Sequence, residues 1–281
     1  MPNIELVSYR KSQVSMRLQK AFWALSSWGT LACSGPKEPV RVDVPVAVDA
    51  TVVSRLTTDL DYEVEMTEAR IMVRDLTFSI AGELHTASLL RRSYEWLVPD
   101  ALAHPGHYQG GDITGEMRGR FLLDWLPGED LELGEASLIV GQYRSANFIF
   151  SRAGEAELQE NDPLRGHTAL LRGTATKHEQ TVSFLALIDS PKDRELVGIP
   201  FEFKLEETSN VVLHLQLKIL STLEGDTLFD GLNFLALDED DDGEVEFTPE
   251  NGSENLADAY NRLRRKLQTH DHFEIKGVQL E

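Results

Sequence analysis

The chain has 281 residues, and its 27 Lys and Arg against 47 Asp and Glu give a formal net charge of −20. Nucleic acids and anionic lipid headgroups bind proteins through clusters of cations, so this surface repels both, and no nucleic-acid partner is expected. The length suffices for one large β domain or two small ones, and no stretch after residue 33 reaches the roughly eighteen apolar residues of a membrane span.

The N-terminal segment has the order of residues found in export signals. Arg17 and Lys20 precede a mostly apolar stretch, residues 21–32, and Cys33 follows the small residue Ala32. A basic start, about twelve mostly apolar residues and a small residue before a cut site describe an export signal rather than a membrane span. Because Cys33 comes directly after the small residue, the segment resembles a bacterial lipoprotein precursor, in which the cysteine is lipidated and becomes the first mature residue.

This resemblance implies a location in the bacterial cell envelope, as a periplasmic or outer-membrane lipoprotein held to the lipid bilayer by acyl chains. Residues 1–33 are then the export signal and residues 34–39 a short tether. The signal departs from the lipoprotein pattern at Thr30, where Leu is usual, and Met16 is a more conventional start than Met1. A plain secretion signal or a buried N-terminal helix is the alternative. Residues 34–281 keep 23 basic and 46 acidic residues, a net charge of −23.

Period-two patterns dominate the chain from residue 40 onwards and predict β-strands. In the first run, Val40 to Val48, a valine stands at every second position. Many short strands separated by turn residues are typical of an antiparallel β-sandwich or barrel, and we predict a mainly β fold, an antiparallel β-sandwich spanning residues 40–281. The further runs are 62–67, 70–80, 113–125, 137–143, 146–152, 168–176, 181–188, 197–205 and 211–219.

Near the C-terminus the pattern changes to helical spacing. Residues 227–269 are predicted to form a small helix–acidic loop–helix unit within the β domain, with Ser253 as the cap of the second helix. A final strand is predicted over 270–278. The apolar residues at helical spacing are Leu228, Phe229, Leu232 and Leu235 in the first helix and Leu256, Tyr260, Leu263 and Leu267 in the second.

The acidic loop of this unit carries the spacing of a calcium-binding loop of the EF-hand type. Asp238, Asp240 and Asp242 stand at positions 1, 3 and 5, Gly243 stands at position 6, and Glu244 offers its carbonyl oxygen at position 7. Alternate oxygens converge on the ion in such a loop, and the glycine permits the sharp turn. The sequence therefore predicts a calcium site, most simply a stabilising one.

The second half of the loop departs from that pattern. Pro249 occupies position 12, where a bidentate Glu is expected, while Glu250 comes one residue late and Glu246, at position 9, is a partial substitute. The alternative is an acidic, disordered turn without an ion. Adjacent carboxylates repel one another unless cations neutralise them, which favours the calcium interpretation.

Histidines suggest a second kind of metal site. His104 and His107 lie in a Gly- and Pro-rich loop, and on the predicted final strand His270 and His272 would project both rings to one side. Imidazoles so spaced are ligands for copper or zinc. The alternative is that these are polar loop and turn residues with no ligand. Two further candidates, each near a strand end, are His85 and His167.

The scattered histidines and few tryptophans of an exported β-rich chain resemble the copper-binding family typified by the methanobactin-associated periplasmic protein and the methanotroph surface copper proteins. The resemblance covers roughly residues 70–190. In that family two histidines and an oxidised tryptophan hold copper. The positions that match are His104 or His107, His167, and Trp96 or Trp125, and Trp125 also fits an ordinary core position because it follows an apolar pair.

Enzymatic signatures are missing: the sequence has no nucleophile elbow, P-loop or zinc-protease motif, and no cysteine after residue 33. The prediction is therefore a non-enzymatic envelope lipoprotein that binds metal ions, with copper or zinc at the histidines and calcium at the acidic loop. The alternatives are a surface recognition or structural lipoprotein whose histidines are incidental, and, third, a metal-dependent hydrolase.

Overall fold

The structure is a computed structural model that describes residues 39–49, 55–80, 113–126, 131–221, 224–250 and 252–280. Residues from Pro39 onwards form one compact unit. In these ranges, every helix is too short or too polar to cross a membrane. The candidate residues Cys33, His85, Trp96, His104 and His107 lie outside the described residues.

Alternating apolar and polar residues produce the strands, since successive side chains of a strand point to opposite faces. In the strand Val211–Leu217, for example, Val211, Leu213, Leu215 and Leu217 are buried and the residues between them are half-buried. The twelve strands are β1 Arg41–Val48, β2 Arg55–Thr57, β3 Glu63–Ile80, β4 Ile113–Asp124, β5 Leu131–Ile139, β6 Gly141–Phe150, β7 Ala169–Lys177, β8 Gln180–Ile188, β9 Glu195–Leu205, β10 Val211–Leu217, β11 Glu244–Phe247 and β12 Phe273–Gln279. Within the described ranges the α-helices are α1 Phe234–Leu237 and α2 Glu254–Leu267.

All twelve strands belong to one sheet with the order β11-β8-β7-β3-β4-β5-β1-β10-β12. The strand β3, with 18 residues, pairs in its first half with β7 and β2 and in its second half with β4 and β6. On its other edge β6 pairs with β9. Because β9 also packs against β12, the far end of the order, the sheet curls around its own core.

The predicted mainly β class with a small C-terminal helical unit is confirmed. The sheet is mixed, however, because β1 pairs in parallel with β10 and β11 in parallel with β8, while the other pairings are antiparallel. Alternation along a strand shows which face is buried and carries no information about the direction of its neighbour. The opposed layers predicted as a sandwich are parts of one continuous curled sheet.

Aromatic residues from distant strands meet inside the curl. The ring centroid of Phe273 lies 6.2 Å from the ring centroid of Trp125 and 5.3 Å from that of Phe148. Trp125 is fully buried, and its indole Nε1 donates a hydrogen bond of 3.1 Å to the carbonyl oxygen of Leu215. These contacts join the end of β4 to β6, β10 and β12, which gives Trp125 the role of a core residue.

The C-terminal unit differs from the predicted helix–loop–helix in its first helix. Leu228, Phe229 and Leu232 are buried as expected, but they lie in turns, and α1 is a single turn at Phe234–Leu237. The side chain of Asp230 accepts hydrogen bonds from the backbone N–H and the hydroxyl of Thr227, and local bonds of this kind compete with helix formation. The second helix is confirmed, including its cap, since the Ser253 hydroxyl accepts the N–H of Leu256.

A second, smaller core lies on the outer face of the sheet beneath the segment 151–168. Ile71 and Leu171 face the main core, whereas Met72 and Leu170 point the other way and pack against Leu164. Ion pairs hold this segment in place. Arg70 on β3 donates two hydrogen bonds, of 2.7 and 2.9 Å, to the carboxylate of Asp162. These bonds hold the pKa of Asp162 below its ordinary value.

We expect Arg70→Ala to lower the free energy of unfolding by roughly 2–3 kcal/mol, because it removes the ion-pair partner of the largely buried Asp162 carboxylate and leaves Glu68 with Arg172 alone. Urea denaturation at pH 7 measures this loss. The matched control is Arg55→Ala, which removes an exposed pair with Glu65 and should leave the urea midpoint nearly unchanged. Equal midpoint shifts in both variants would contradict the role assigned to Arg70.

Candidate metal centre

The acidic loop joins α1 to β11 at the edge of the curled sheet. β11 runs parallel to β8, with Glu244 opposite Ser183 and Phe247 opposite Ala186. The carbonyl oxygen of Gly243 accepts two hydrogen bonds from Ser183, one from the backbone N–H at 2.9 Å and one from the hydroxyl at 3.1 Å. The loop is therefore fastened at its glycine to a strand that packs into the main core.

Within the loop, backbone N–H groups converge on the aspartates. The two carboxylate oxygens of Asp238 accept the N–H groups of Asp242 and Gly243, at 3.1 and 3.0 Å. The carboxylate of Asp242 accepts the N–H of Glu244 at 2.8 Å. Gly243 has a φ of +82°, a left-handed conformation that glycine adopts without strain, and this turn starts the chain into β11.

The loop brings together the three predicted calcium ligands. One carboxylate oxygen from each of Asp238, Asp240 and Asp242 lies within 4.8 Å of the other two. Calcium binds oxygens at about 2.3–2.6 Å, so two oxygens on one ion lie up to about 5 Å apart, and this triad fits the ion. Asp240 and Asp242 are exposed and Asp238 is half-buried, so the triad opens to solvent on one side.

Further oxygens face the same open cleft. Glu244 and Glu246 alternate with the buried Val245 and Phe247 along β11, so both carboxylates point away from the core. Glu246 lines the cleft together with Asp240, Asp242 and Glu250. Sequence spacing alone could not place Glu250, because the EF-hand pattern assigns position 12 to Pro249; the turn after β11 brings Glu250 to this cleft.

The prediction that His270 and His272 lie on the last strand, with both rings on one side, is wrong. His270–His272 forms a short 3-10 turn, and β12 begins only at Phe273. His272 is buried, and its Nδ1 lies 2.8 Å from the carbonyl oxygen of Lys218, whereas the Nε2 of His270 lies 3.0 Å from a carboxylate oxygen of Asp271. The backbone explains the turn, since the carbonyl of His272 accepts the N–H of Lys218 and thereby sets the start of β12.

His167 is engaged by a carboxylate. Its Nδ1 lies 2.9 Å from a carboxylate oxygen of Asp189, and no local sequence pattern links these two residues. Among the residues that the structure describes, Asp238, Asp240 and Asp242 are the one group of three or more metal-type ligands, and neither His167, His270 nor His272 joins such a group. The copper or zinc site at His85, His104 and His107 falls outside the described ranges and stays a prediction.

The buried His272 makes the stability of the protein depend on pH. Burial lowers its pKa below the ordinary value, so folding favours the neutral ring. The stabilisation is complete above about pH 6.5, the pKa of an unfolded chain, and is lost as the pH falls below that value. We expect the urea midpoint to fall more steeply between pH 7 and 5 in the wild type than in His272→Gln.

His178→Gln is the matched control for this measurement, because His178 lies exposed in the turn between β7 and β8. It should keep the wild-type pH profile. Parallel profiles for wild type and His272→Gln over the same range would show that His272 does not control this loss.

Comparisons of the chain with models of known protein families, with curated proteins and with solved structures found no match.

Proposed function

We propose that this chain is an exported, envelope-anchored β protein whose C-terminal acidic loop binds calcium. One observation carries the calcium proposal: the oxygens of Asp238, Asp240 and Asp242 already lie within 4.8 Å of one another on a backbone that turns at Gly243. Oxygen ligands of this number and charge suit a hard cation such as calcium. The missing strong ligand at position 12 favours a weak site of the kind used by extracellular modules.

The contacts of the loop support a stabilising role. Gly243 is bonded to Ser183 of β8, and the amide of Asn255 in α2 donates a hydrogen bond of 3.3 Å to Glu239. An ion held by the loop thus fixes the junction of β8, β11 and α2. It also relieves the repulsion among neighbouring carboxylates in a chain that is acidic throughout.

Export and anchoring are proposed from the N-terminal sequence, and the acidic composition supports a role that involves neither nucleic acid nor insertion of the body into a membrane. A surface recognition protein with a calcium-stabilised fold is compatible with the same observations. A copper site remains proposed from the family resemblance, with His104 or His107, His167 and Trp96 as candidate ligands; Trp125, the other tryptophan that matched, is a buried core residue.

Calcium should raise the melting temperature of the purified protein. At a calcium concentration one hundred times Kd the folded state gains about 2.7 kcal/mol, which corresponds to roughly 5–10 °C for a domain of this size. Asp240→Asn removes one ligand charge and should abolish most of this rise. Differential scanning calorimetry in calcium and in chelator measures the change.

Asp241→Asn is the matched control, since Asp241 is the neighbouring acid with a left-handed φ of 56° that Asn adopts readily, and it lies outside the ligand triad. It removes the same charge and should keep the calcium-dependent rise. Glu246→Gln and Glu250→Gln then show which cleft carboxylate completes the site. A melt that ignores both calcium and chelator, or an equal loss in Asp240→Asn and Asp241→Asn, would refute a specific site.

Lipid attachment is tested at Cys33. Expressed with its own signal in a bacterial host, the wild-type protein should partition into the membrane fraction, because lipoprotein-type acylation exceeds the two-signal requirement for stable attachment. Cys33→Ser should move to the soluble fraction. Mass spectrometry of the mature N-terminus provides the direct check, and a soluble wild type without acyl chains would refute the anchor.

A further inference from the structure

A group of cationic and hydrogen-bonding side chains gathers around Asp189, at the end of β8. His167 comes from the segment before β7, Arg152 from the segment after β6, and Tyr260 and Arg264 from α2. Two contacts fasten α2 and the segment before β7 to this strand end: Gln268 donates to the Ser190 hydroxyl at 3.0 Å, and the Ser190 N–H donates to the Thr168 hydroxyl at 3.1 Å. These side chains therefore lie at a junction of four segments of the chain.

Asp189 has both carboxylate oxygens engaged. One lies 2.9 Å from His167 Nδ1, and the other lies 2.9 Å from Arg152 Nη2. Its charge is thus balanced by Arg152. The two arginines and one aspartate leave a local surplus of one positive charge, the reverse of the balance in the whole chain.

Two hydrogen-bond donors of α2, the Tyr260 hydroxyl and the Arg264 Nε, lie at this junction. The Tyr260 hydroxyl accepts the backbone N–H of Asp189 at 3.0 Å, which leaves its own proton available for another acceptor. Arg264 lies over the Tyr260 ring, with its guanidinium carbon 5.9 Å from the ring centroid. The Nε of Arg264 is buried and has no hydrogen-bond partner within the described part of the chain. A buried donor without an acceptor destabilises the folded state, so such a group in a native protein points to a bound partner such as a ligand.

Contacts with Asp189 bring Arg152 close to the Tyr260 hydroxyl, and Arg264 lies over the ring of the same tyrosine. Burial raises the pKa of Tyr260, while the charges of Arg264 and Arg152 oppose that rise. The phenol, the two guanidinium groups and the imidazole accordingly share one neighbourhood. Because Asp189 holds Nδ1 of His167, the Nε2 of the ring is left for a ligand, and the ring is partly open to solvent, with 27% of the side chain exposed.

We propose that Arg152, His167, Tyr260 and Arg264 form a binding site for a small oxyanion, a phosphate or carboxylate group of a ligand. Guanidinium groups match the paired oxygens of both anions and bind them through charge-assisted hydrogen bonds. Asp189 acts as a positioning residue that orients Arg152 and His167. The acidic loop contributes nothing to this site, so the proposal is independent of the calcium proposal.

The test is isothermal titration calorimetry of the purified full chain with inorganic phosphate and, separately, with acetate, at constant ionic strength and in chelator. We expect saturable binding of at least one probe. Arg264→Gln and Arg152→Gln should each weaken it about tenfold, since each removes a charge-assisted bond. Arg265→Gln is the matched control, because it removes the same charge from an exposed neighbour on α2 and should leave the affinity within about twofold.

Arg264→Lys separates a binding defect from a folding defect, because it keeps the positive charge but loses the planar guanidinium group. This variant should have the melting temperature of the wild type and bind phosphate more weakly. Phosphate should also shift the ring resonances of His167, assigned by their loss in His167→Gln. The preference between the two probes identifies the ligand group. Absence of saturable binding for both probes, or an equal loss of affinity in Arg265→Gln, would overturn the site.

Discussion

The continuity of β3 is the constraint on which the rest of the structure depends. This strand of 18 residues contacts four others, and it is the link through which the β7–β8–β11 side of the sheet is joined to the β4–β5–β1–β10–β12 side. It carries an irregularity at Asp75, where φ is +53° and the pairing with β4 and β6 shifts. The Asp75 carboxylate accepts the N–H of Gly119 on β4 at 3.2 Å, which stabilises the bend that lets the sheet curl.

On the outer face of β3, acidic residues stabilise the fold by forming ion pairs with arginines. The main core lies inside the curl, yet Arg70 reaches outward and is held by carboxylates of β3 and of the segment 151–168. The other cations of this face make similar pairs, such as Arg120 with Glu157 and Arg152 with Asp189. The chain has more carboxylates than cations, and five consecutive acids stand at Asp238–Asp242, where backbone N–H groups rather than cations bind the carboxylates of Asp238 and Asp242.

Local patterns in the sequence predicted the strands, the cap at Ser253 and the calcium-type spacing, because each depends on residues a few positions apart. The parallel pairs, the curl and the single-turn α1 depend on partners far along the chain or on the competing Thr227–Asp230 bonds, which periodicity does not record. The same reason explains why the arrangement of His270 and His272 was predicted wrongly. Their spacing does not reveal the hydrogen bond between His272 and the carbonyl oxygen of Lys218, which lies 54 residues away in sequence. The junction at Asp189 joins residues from four separate segments, and no local signal marks it.

The parallel pairing of β1 with β10 has a consequence for how the chain acquires its structure. Val46, near the start of the domain, pairs with Leu213, so the first strand lies between β5 and a strand that emerges from the ribosome far later. Contacts of such long sequence separation form slowly, because a long loop must close before they give any stabilisation. The first strand therefore waits for its second neighbour until β10 has been synthesised, and the sheet is complete only when β12, near the C-terminus, pairs with β10.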